Sequence, residues 1–203
     1  MESMMPMNRS ELVHWLMESG GPAIRYRTAL ELGRDVEGYD LDRLSAELLD
    51  SKPVKLWLSR CQPIAVPKHY KHAYYTIHGS KETFFENVVP KLVQLGLHTR
   101  MPVFLEATAP FLQRFKEDVE RPYEDPFTIF YLTLLAAFLA MAGYEAEETV
   151  RTFLSTRREA LYEFTRQRDY DIYVDPGNYP SVPKFYRANI VNPKLYQNNV
   201  IVL

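Results

Sequence analysis

The sequence contains only one cysteine, Cys61, among 203 residues. A single thiol excludes an intramolecular disulfide and any zinc site built from several thiolates. The first residues also lack a basic segment followed by an apolar run, so we expect no secretion signal. Together these absences favour a reducing compartment, and we expect a cytoplasmic protein.

The sequence also lacks an excess of charge of either sign. It has 24 Lys and Arg against 26 Asp and Glu, a formal net charge of -2. Nearly balanced charge gives no general attraction to nucleic acid or to anionic membranes, so either partner would require a local basic patch. Hydrophobic residues make up 46% and aromatic residues 13% of the chain, which is sufficient for a packed core. We therefore expect one folded unit.

No clear membrane span is visible in the sequence. The strongest candidate is the uncharged run between Asp125 and Glu145. Thr128, Tyr131 and Thr133 interrupt its apolar residues, and no basic flank marks an orientation. A helix that is apolar on all sides is also typical of the buried centre of a multi-helix protein. We therefore expect a core helix here and no membrane partner.

Caps, prolines and apolar spacing predict an all-α fold of about eight helices stacked as αα-hairpins. The predicted helices tend to end at a glycine about three turns after the cap, but no strict sequence period is visible. The stacked hairpins would form an α/α toroid-like arrangement or a fragment of a solenoid. We assign residues 1–168 to this helical domain. Residues 169–203, rich in proline, asparagine and tyrosine, are expected to form an extended arm packed on it.

The first predicted hairpin spans residues 8–33. Asn8 and Glu11 have the spacing of a capping box, and Pro22 opens the second helix. Gly33 is predicted to end that helix in a left-handed conformation. The first helix has three apolar residues at helical spacing: Leu12, Trp15 and Leu16. This stripe predicts that their face of the helix is buried.

The fourth predicted helix begins at Pro53 and also carries an apolar stripe. Its members are Val54, Trp57, Leu58 and Cys61. The spacing favours burial of Trp57, although an indole can also stack on a sugar or a hydrocarbon ligand. The same spacing favours a buried structural thiol at Cys61 over a metal ligand.

Residues 62–79 break the helical pattern and predict an ordered loop of unusual length, after which Ser80 is expected to cap a helix. Imidazoles and carboxylates in this region could bind a transition metal or act as general acid and base. The candidate catalytic residues are His72, Tyr75, His78 and Glu82. The candidate ligand-binding residues are His69, Tyr74 and Trp57. Their spacing matches no established zinc signature, and Glu82 and Glu86 are also what a helix start favours, so we assign no metal and no cofactor.

Three segments resemble one group of bacterial proteins labelled prenyltransferase-like or squalene-cyclase-like, after the α/α toroid repeat. The segments are HWLMESGGPAIRYRTALELG, IHGSKETFFENVVPKLVQLGL and DIYVDPGNYPSVPKFYR. The resemblance implies the fold but not the chemistry, because the aspartate-rich runs and the Gln and Trp repeat signature of the named enzymes are absent. Asp169 with Asp171 is the nearest approach to such a run. Proteins of this group are usually longer, which agrees with the apolar end at 200–203: either the natural chain continues past Leu203, or this end pairs with another element.

These observations favour a helical scaffold that binds a protein or a small molecule, because no catalytic constellation is complete. One alternative is an α/α toroid-type enzyme acting on an isoprenoid or a carbohydrate in an aromatic-lined cavity around the loop. A weaker alternative is a HEAT-like nucleic-acid-binding protein whose groove holds arginines such as Arg25 and Arg27. Since Glu31 lies four residues after Arg27, local ion pairs are favoured instead, and we do not expect nucleic acid.

Overall fold

A computed structural model describes residues 8–33, 38–61, 76–120 and 126–167. Within these ranges the chain forms eight α-helices and no strand. The helices are α1 Arg9–Ser19, α2 Pro22–Glu31, α3 Leu41–Asp50, α4 Lys52–Arg60, α5 Phe85–Leu95, α6 Pro102–Val119, α7 Pro126–Leu139 and α8 Glu148–Gln167. A π-helical turn, Ala140–Tyr144, follows α7. The all-α prediction is therefore confirmed for the described residues, whereas the predicted arm, 169–203, lies outside them.

Local hydrogen bonds explain the start of α1. The side chain of Asn8 accepts a hydrogen bond from the Glu11 N–H at 2.9 Å, and the Glu11 carboxylate accepts one from the Asn8 N–H at 3.0 Å. The predicted capping box is therefore present. Pro22 occupies the first turn of α2, as expected. The prediction for Gly33 was wrong, because α2 ends at Glu31 with Leu32 as its capping residue, and the left-handed glycines do not include Gly33.

The prediction that Ser80 caps a helix was also wrong. The helix α5 begins at Phe85, and the capping position is held by Phe84, whose side chain makes no capping hydrogen bond. The preceding residues form turns instead. The carboxylate of Glu86, in the first turn of α5, binds these turns from the helix side.

The hydrophobic core is one cluster with buried residues from all eight helices, and α5, α6 and α7 each contribute more members than any other helix. The side chains of Leu132, Leu135 and Leu139 on α7 are completely buried. Phe85 on α5 stacks on Phe111 on α6 with ring centroids 4.0 Å apart. The apolar helix predicted between Asp125 and Glu145 is thus a core helix, and no helix in the described part of the chain is long and apolar enough to cross a membrane.

The N-terminal helices join this core through α4 and α5. Consecutive helices pack side by side from α1 to α5, and α5 also contacts α2 and α7. The nearest backbone neighbours of α5 are therefore α4 and α7, while α6 lies beside α7. The expected hairpin of α5 with α6 is not the main pairing of either helix.

Candidate functional site

Three of the predicted site residues lie in the described part of the chain: Trp57, His78 and Glu82. The other four lie outside it: His69, His72, Tyr74 and Tyr75. The three described residues belong to two separate contacts, because His78 pairs with Glu86 and Glu82 pairs with Arg60.

The carboxylate of Glu86 is the centre of the first contact. It accepts a hydrogen bond from His78 Nδ1 at 2.8 Å and a second from the Gly79 N–H at 2.6 Å. The side-chain amide of Asn87 donates to the carbonyls of Gly79 and Lys81 at 2.7 and 3.0 Å. These bonds fix the turn before α5 to the first turn of the helix, so a structural role accounts for Glu86.

The ring of His78 lies against the start of α7. Its centroid is 5.1 Å from that of Phe130, at 90°, and 6.3 Å from that of Tyr131. A carboxylate on Nδ1 leaves Nε2 outward, which is the arrangement of many general bases and metal ligands. However, no group of three His, Cys, Asp or Glu side chains that could hold a metal is found among the described residues.

The second contact joins the end of α4 to the turn before α5. Arg60 forms an ion pair with Glu82 at 2.6 Å, and its guanidinium lies 4.7 Å from the ring centroid of Trp57. Glu82 is 68% exposed, and Trp57 is partly buried against the core. The guanidinium therefore covers one face of the indole, and the exposed carboxylate of Glu82 balances its charge.

Cys61 at the end of α4 behaves as a structural thiol. Its Sγ lies 3.6 Å from the carbonyl oxygen of Ala107 on α6. Burial raises the pKa of the Cys61 thiol to about 11. Since a thiolate is the reactive and metal-binding form, this environment disfavours both roles.

An exposed apolar surface on α1 and α2 was missed by sequence reasoning. The helix α1 buries Val13 and Met17 but leaves Leu12 43% and Trp15 53% exposed. On α2, Ile24 is 48% exposed. The predicted burial of the Leu12 and Trp15 stripe was therefore wrong, because α1 carries two apolar faces and only the other one meets the core. We call exposed Leu12, Trp15 and Ile24, together with half-buried Leu16, the α1–α2 face.

An open groove of about 300 Å³ adjoins this face. Its lining residues are Leu16, Ala23, Ile24, Arg27, Thr28, Glu31, Leu32 and Gln94. Arg27 pairs with Glu31 at 2.7 Å and donates through Nη1 to the carbonyl of Gln94 at 3.2 Å. These bonds connect the groove in α2 to the end of α5.

The same part of α2 makes a second contact with the turn after α5. The hydroxyl of buried Tyr26 lies 2.9 Å from His98 Nε2. Burial, and secondarily the positive charge of Arg100, lower the pKa of His98. Burial raises the pKa of the Tyr26 hydroxyl, with Arg100 opposing it. Both groups are therefore stabilised in their neutral forms at neutral pH.

Comparisons of the chain with protein-family models, with curated proteins and with solved structures find no match. The resemblance to the prenyltransferase-like group thus stays a prediction. Functional inference therefore depends on the geometry of the described residues.

Proposed function

We propose that the protein is a binding module whose α1–α2 face engages an apolar helix of a partner protein. Two exposed side chains carry the proposal: Trp15 on α1 is 53% exposed, and Ile24 on α2, which lines the open groove, is 48% exposed. Large apolar residues that rim a groove are typical of protein–protein contact sites, and tryptophan is enriched among the residues that dominate binding energy.

The free energy gained by burying apolar side chains favours binding of a partner to this face. Fully burying a large apolar side chain contributes about 1.5–3 kcal/mol, and Leu12, Trp15 and Ile24 keep between 43% and 53% of their surface exposed. Leu12 and Leu16 are four residues apart on α1, so they form a continuous row leading to the groove. Coverage by a partner would remove this row from water.

The shape of the groove supports a helical ligand. A volume of about 300 Å³ accommodates one or two large side chains but not a globular domain. Helices that bind grooves present anchors at positions i, i+3 or i+4, and i+7. The Arg27–Glu31 pair at the groove edge supplies one charge of each sign for the polar flank of such a helix.

The residues proposed for catalysis give weaker support to an enzyme. His78 is 46% exposed and bound to Glu86, and Glu82 is directed to Arg60. The enzyme alternative would therefore use His78 Nε2 at an open surface. The described residues include a second groove, of about 390 Å³, whose lining includes Val119, Phe153 and Arg157 and none of the candidate catalytic residues.

The charges likewise give little support to nucleic-acid binding. Arg25 forms an ion pair with Glu47 at 2.8 Å, and Arg27 pairs with Glu31. Paired arginines present a weaker positive potential to phosphates than isolated ones.

Selection from a displayed library of amphipathic helical peptides tests the proposal. Peptides that bind the protein should carry large apolar residues at helical spacing. They should lose at least about tenfold in affinity for the double variant W15S and I24S, because two anchoring contacts are removed.

The matched control is the double variant L161S and Y162S. These side chains on α8 are also exposed, at 52% and 67%, and do not line the groove. Equal affinities for the wild-type protein and both double variants would overturn the proposal. A library that yields no binding peptide would also overturn it.

A further inference from the structure

We propose that the contact between Tyr26 and His98 is a pH-sensitive connection that holds the α2 groove in its binding shape. This inference concerns regulation of the α1–α2 face, so its effect on binding rests on the proposed function. The connection itself can be measured without a ligand.

The contact joins parts of the chain that are distant in sequence. Tyr26 lies in α2, whereas His98 follows α5, and the hydroxyl to Nε2 distance is 2.9 Å. The two rings are stacked, with centroids 6.3 Å apart and planes at 27°. Tyr26 is 5% exposed, so water does not readily replace the histidine as its partner.

The surroundings of His98 favour its neutral form. Its Nδ1 atom is buried and has no hydrogen-bond partner among the described residues. When Nε2 accepts from the Tyr26 hydroxyl, the neutral ring carries its proton on Nδ1, so protonation would add an N–H at Nε2, facing that hydroxyl. The charge that acts on His98 is that of Arg100 in the same turn, and Arg27 on the adjacent α2 is already paired with Glu31. No ion pair with a carboxylate compensates His98 within the described ranges.

The wall of the groove and the Tyr26–His98 contact are formed by adjacent residues of α2. Arg27, the residue after Tyr26, lines the groove and donates to the Gln94 carbonyl. Gly96, which has a left-handed φ of 106°, packs closely against the side chains of Arg27 and Tyr26. A Cβ atom added there would be 3.0 Å from Arg27 Cγ and 3.1 Å from Tyr26 Cδ1. Loosening of Tyr26 would therefore also displace Arg27 and the groove wall.

Protonation of His98 should weaken the packing of α2 against the turn that follows α5. The neutral ring can accept the hydrogen bond of the Tyr26 hydroxyl. In the cation Nε2–H would instead donate to the Tyr26 oxygen, and the hydroxyl hydrogen of this buried side chain would lose its acceptor. The positive charge of Arg100 would also repel the protonated ring. Mild acid should therefore favour opening of α2 and release of a bound helix.

Hydrogen exchange of the α2 amides tests the connection without a ligand. Between pH 7.5 and 5.5, protection factors in the wild-type protein should fall by about fivefold or more. They should stay nearly constant in His98→Gln, whose side-chain amide can still hydrogen-bond to Tyr26 but does not titrate. His14→Gln is the matched control, because His14 is 67% exposed and pairs with Glu18 on its own helix.

A second variant covers the case in which the His98 substitution disturbs folding. Tyr26→Phe should lower α2 protection already at pH 7.5, because it removes the hydroxyl alone. Unchanged protection in Tyr26→Phe would overturn the inference. The same pH response in His98→Gln as in the wild-type protein would also overturn it.

A separate binding experiment uses the peptide from the helical library that binds most tightly. Its affinity should fall about fivefold or more at pH 5.5 for the wild-type protein and His14→Gln, and stay constant for His98→Gln. If no peptide is selected, the proposed function fails while the exchange experiment still decides the connection. If a peptide binds but α2 protection and affinity do not respond to pH, this inference fails and the proposed function stands.

Discussion

Glu86 binds the residue that precedes it by eight positions: its carboxylate accepts a hydrogen bond from His78 Nδ1 at 2.8 Å. The other carboxylate oxygen accepts from the Gly79 N–H at 2.6 Å. Sequence reasoning placed His78 with Glu82 as candidate catalytic partners, but Glu82 turns to Arg60. The two hydrogen bonds of Glu86 therefore fix the conformation of the turn before α5.

Substitution of Glu86 should destabilise the protein more than substitution of Glu82. Glu86→Gln weakens two charge-assisted hydrogen bonds in a site that is only 16% exposed, and we expect a loss of about 1–2 kcal/mol in unfolding free energy. Glu82→Gln alters an exposed ion pair and should cost less than about 0.5 kcal/mol. Urea unfolding of the two variants measures both. An equal or larger effect of Glu82→Gln would contradict the structural role of Glu86.

Gly79 should not tolerate alanine. Its φ is 138°, and an added Cβ would lie 2.4 Å from Phe84 Cε2. We expect Gly79→Ala to cost at least about 1 kcal/mol. Gly33→Ala is the matched control, because nothing lies within 4 Å of the position that its Cβ would occupy. This variant should change the free energy of unfolding by no more than about 0.5 kcal/mol. Similar melting temperatures for both variants would contradict the close approach of Gly79 to Phe84.

The His98 environment predicts an acid-sensitive stability. The unfolded chain has a histidine pKa near 6.5, and burial lowers that of folded His98. Below pH 6.5 the unfolded state therefore binds more protons, so the free energy of unfolding should fall as the pH decreases toward the folded value. Above pH 6.5 this contribution is fully present. Urea unfolding at pH 7.5 and 5.5 should show a smaller difference in His98→Gln than in the wild-type protein, and an identical difference would refute the assignment.

Cys61 should react slowly with alkylating reagents. With a pKa of about 11, few of the Cys61 side chains are thiolates at pH 8. We expect iodoacetamide to modify Cys61 about a hundredfold more slowly than an ordinary exposed thiol. The variant S59C in a C61S background gives the comparison, because Ser59 is exposed on the same helix. Comparable rates would contradict the burial of the thiol.

Features determined by near neighbours in sequence could be predicted. The capping box of Asn8 and Glu11 and the proline start of α2 depend on residues within one turn. The central position of α7 followed from its lack of any charge. Each of these depends on local composition, which the sequence displays directly.

Features determined by packing could not be predicted in the same way. The helix α1 has apolar residues at Leu12 and Leu16 and also at Val13 and Met17, and both pairs have helical spacing. In the folded chain α1 packs against α2, and the second pair is the one that is buried. Similarly, Glu82 and Glu86 both follow His78 closely, and the turn before α5 decides which of them reaches it.

The position of a bound helical peptide tests the central claim most directly. Amide and methyl shift changes in an NMR titration with the tightest selected peptide should concentrate on the α1–α2 face and on Gln94 at the groove wall. Shift changes at His78, Glu86 and Phe130 should be small. If the largest changes instead surround His78 and leave Trp15 and Ile24 unaffected, the α1–α2 face is not the binding site.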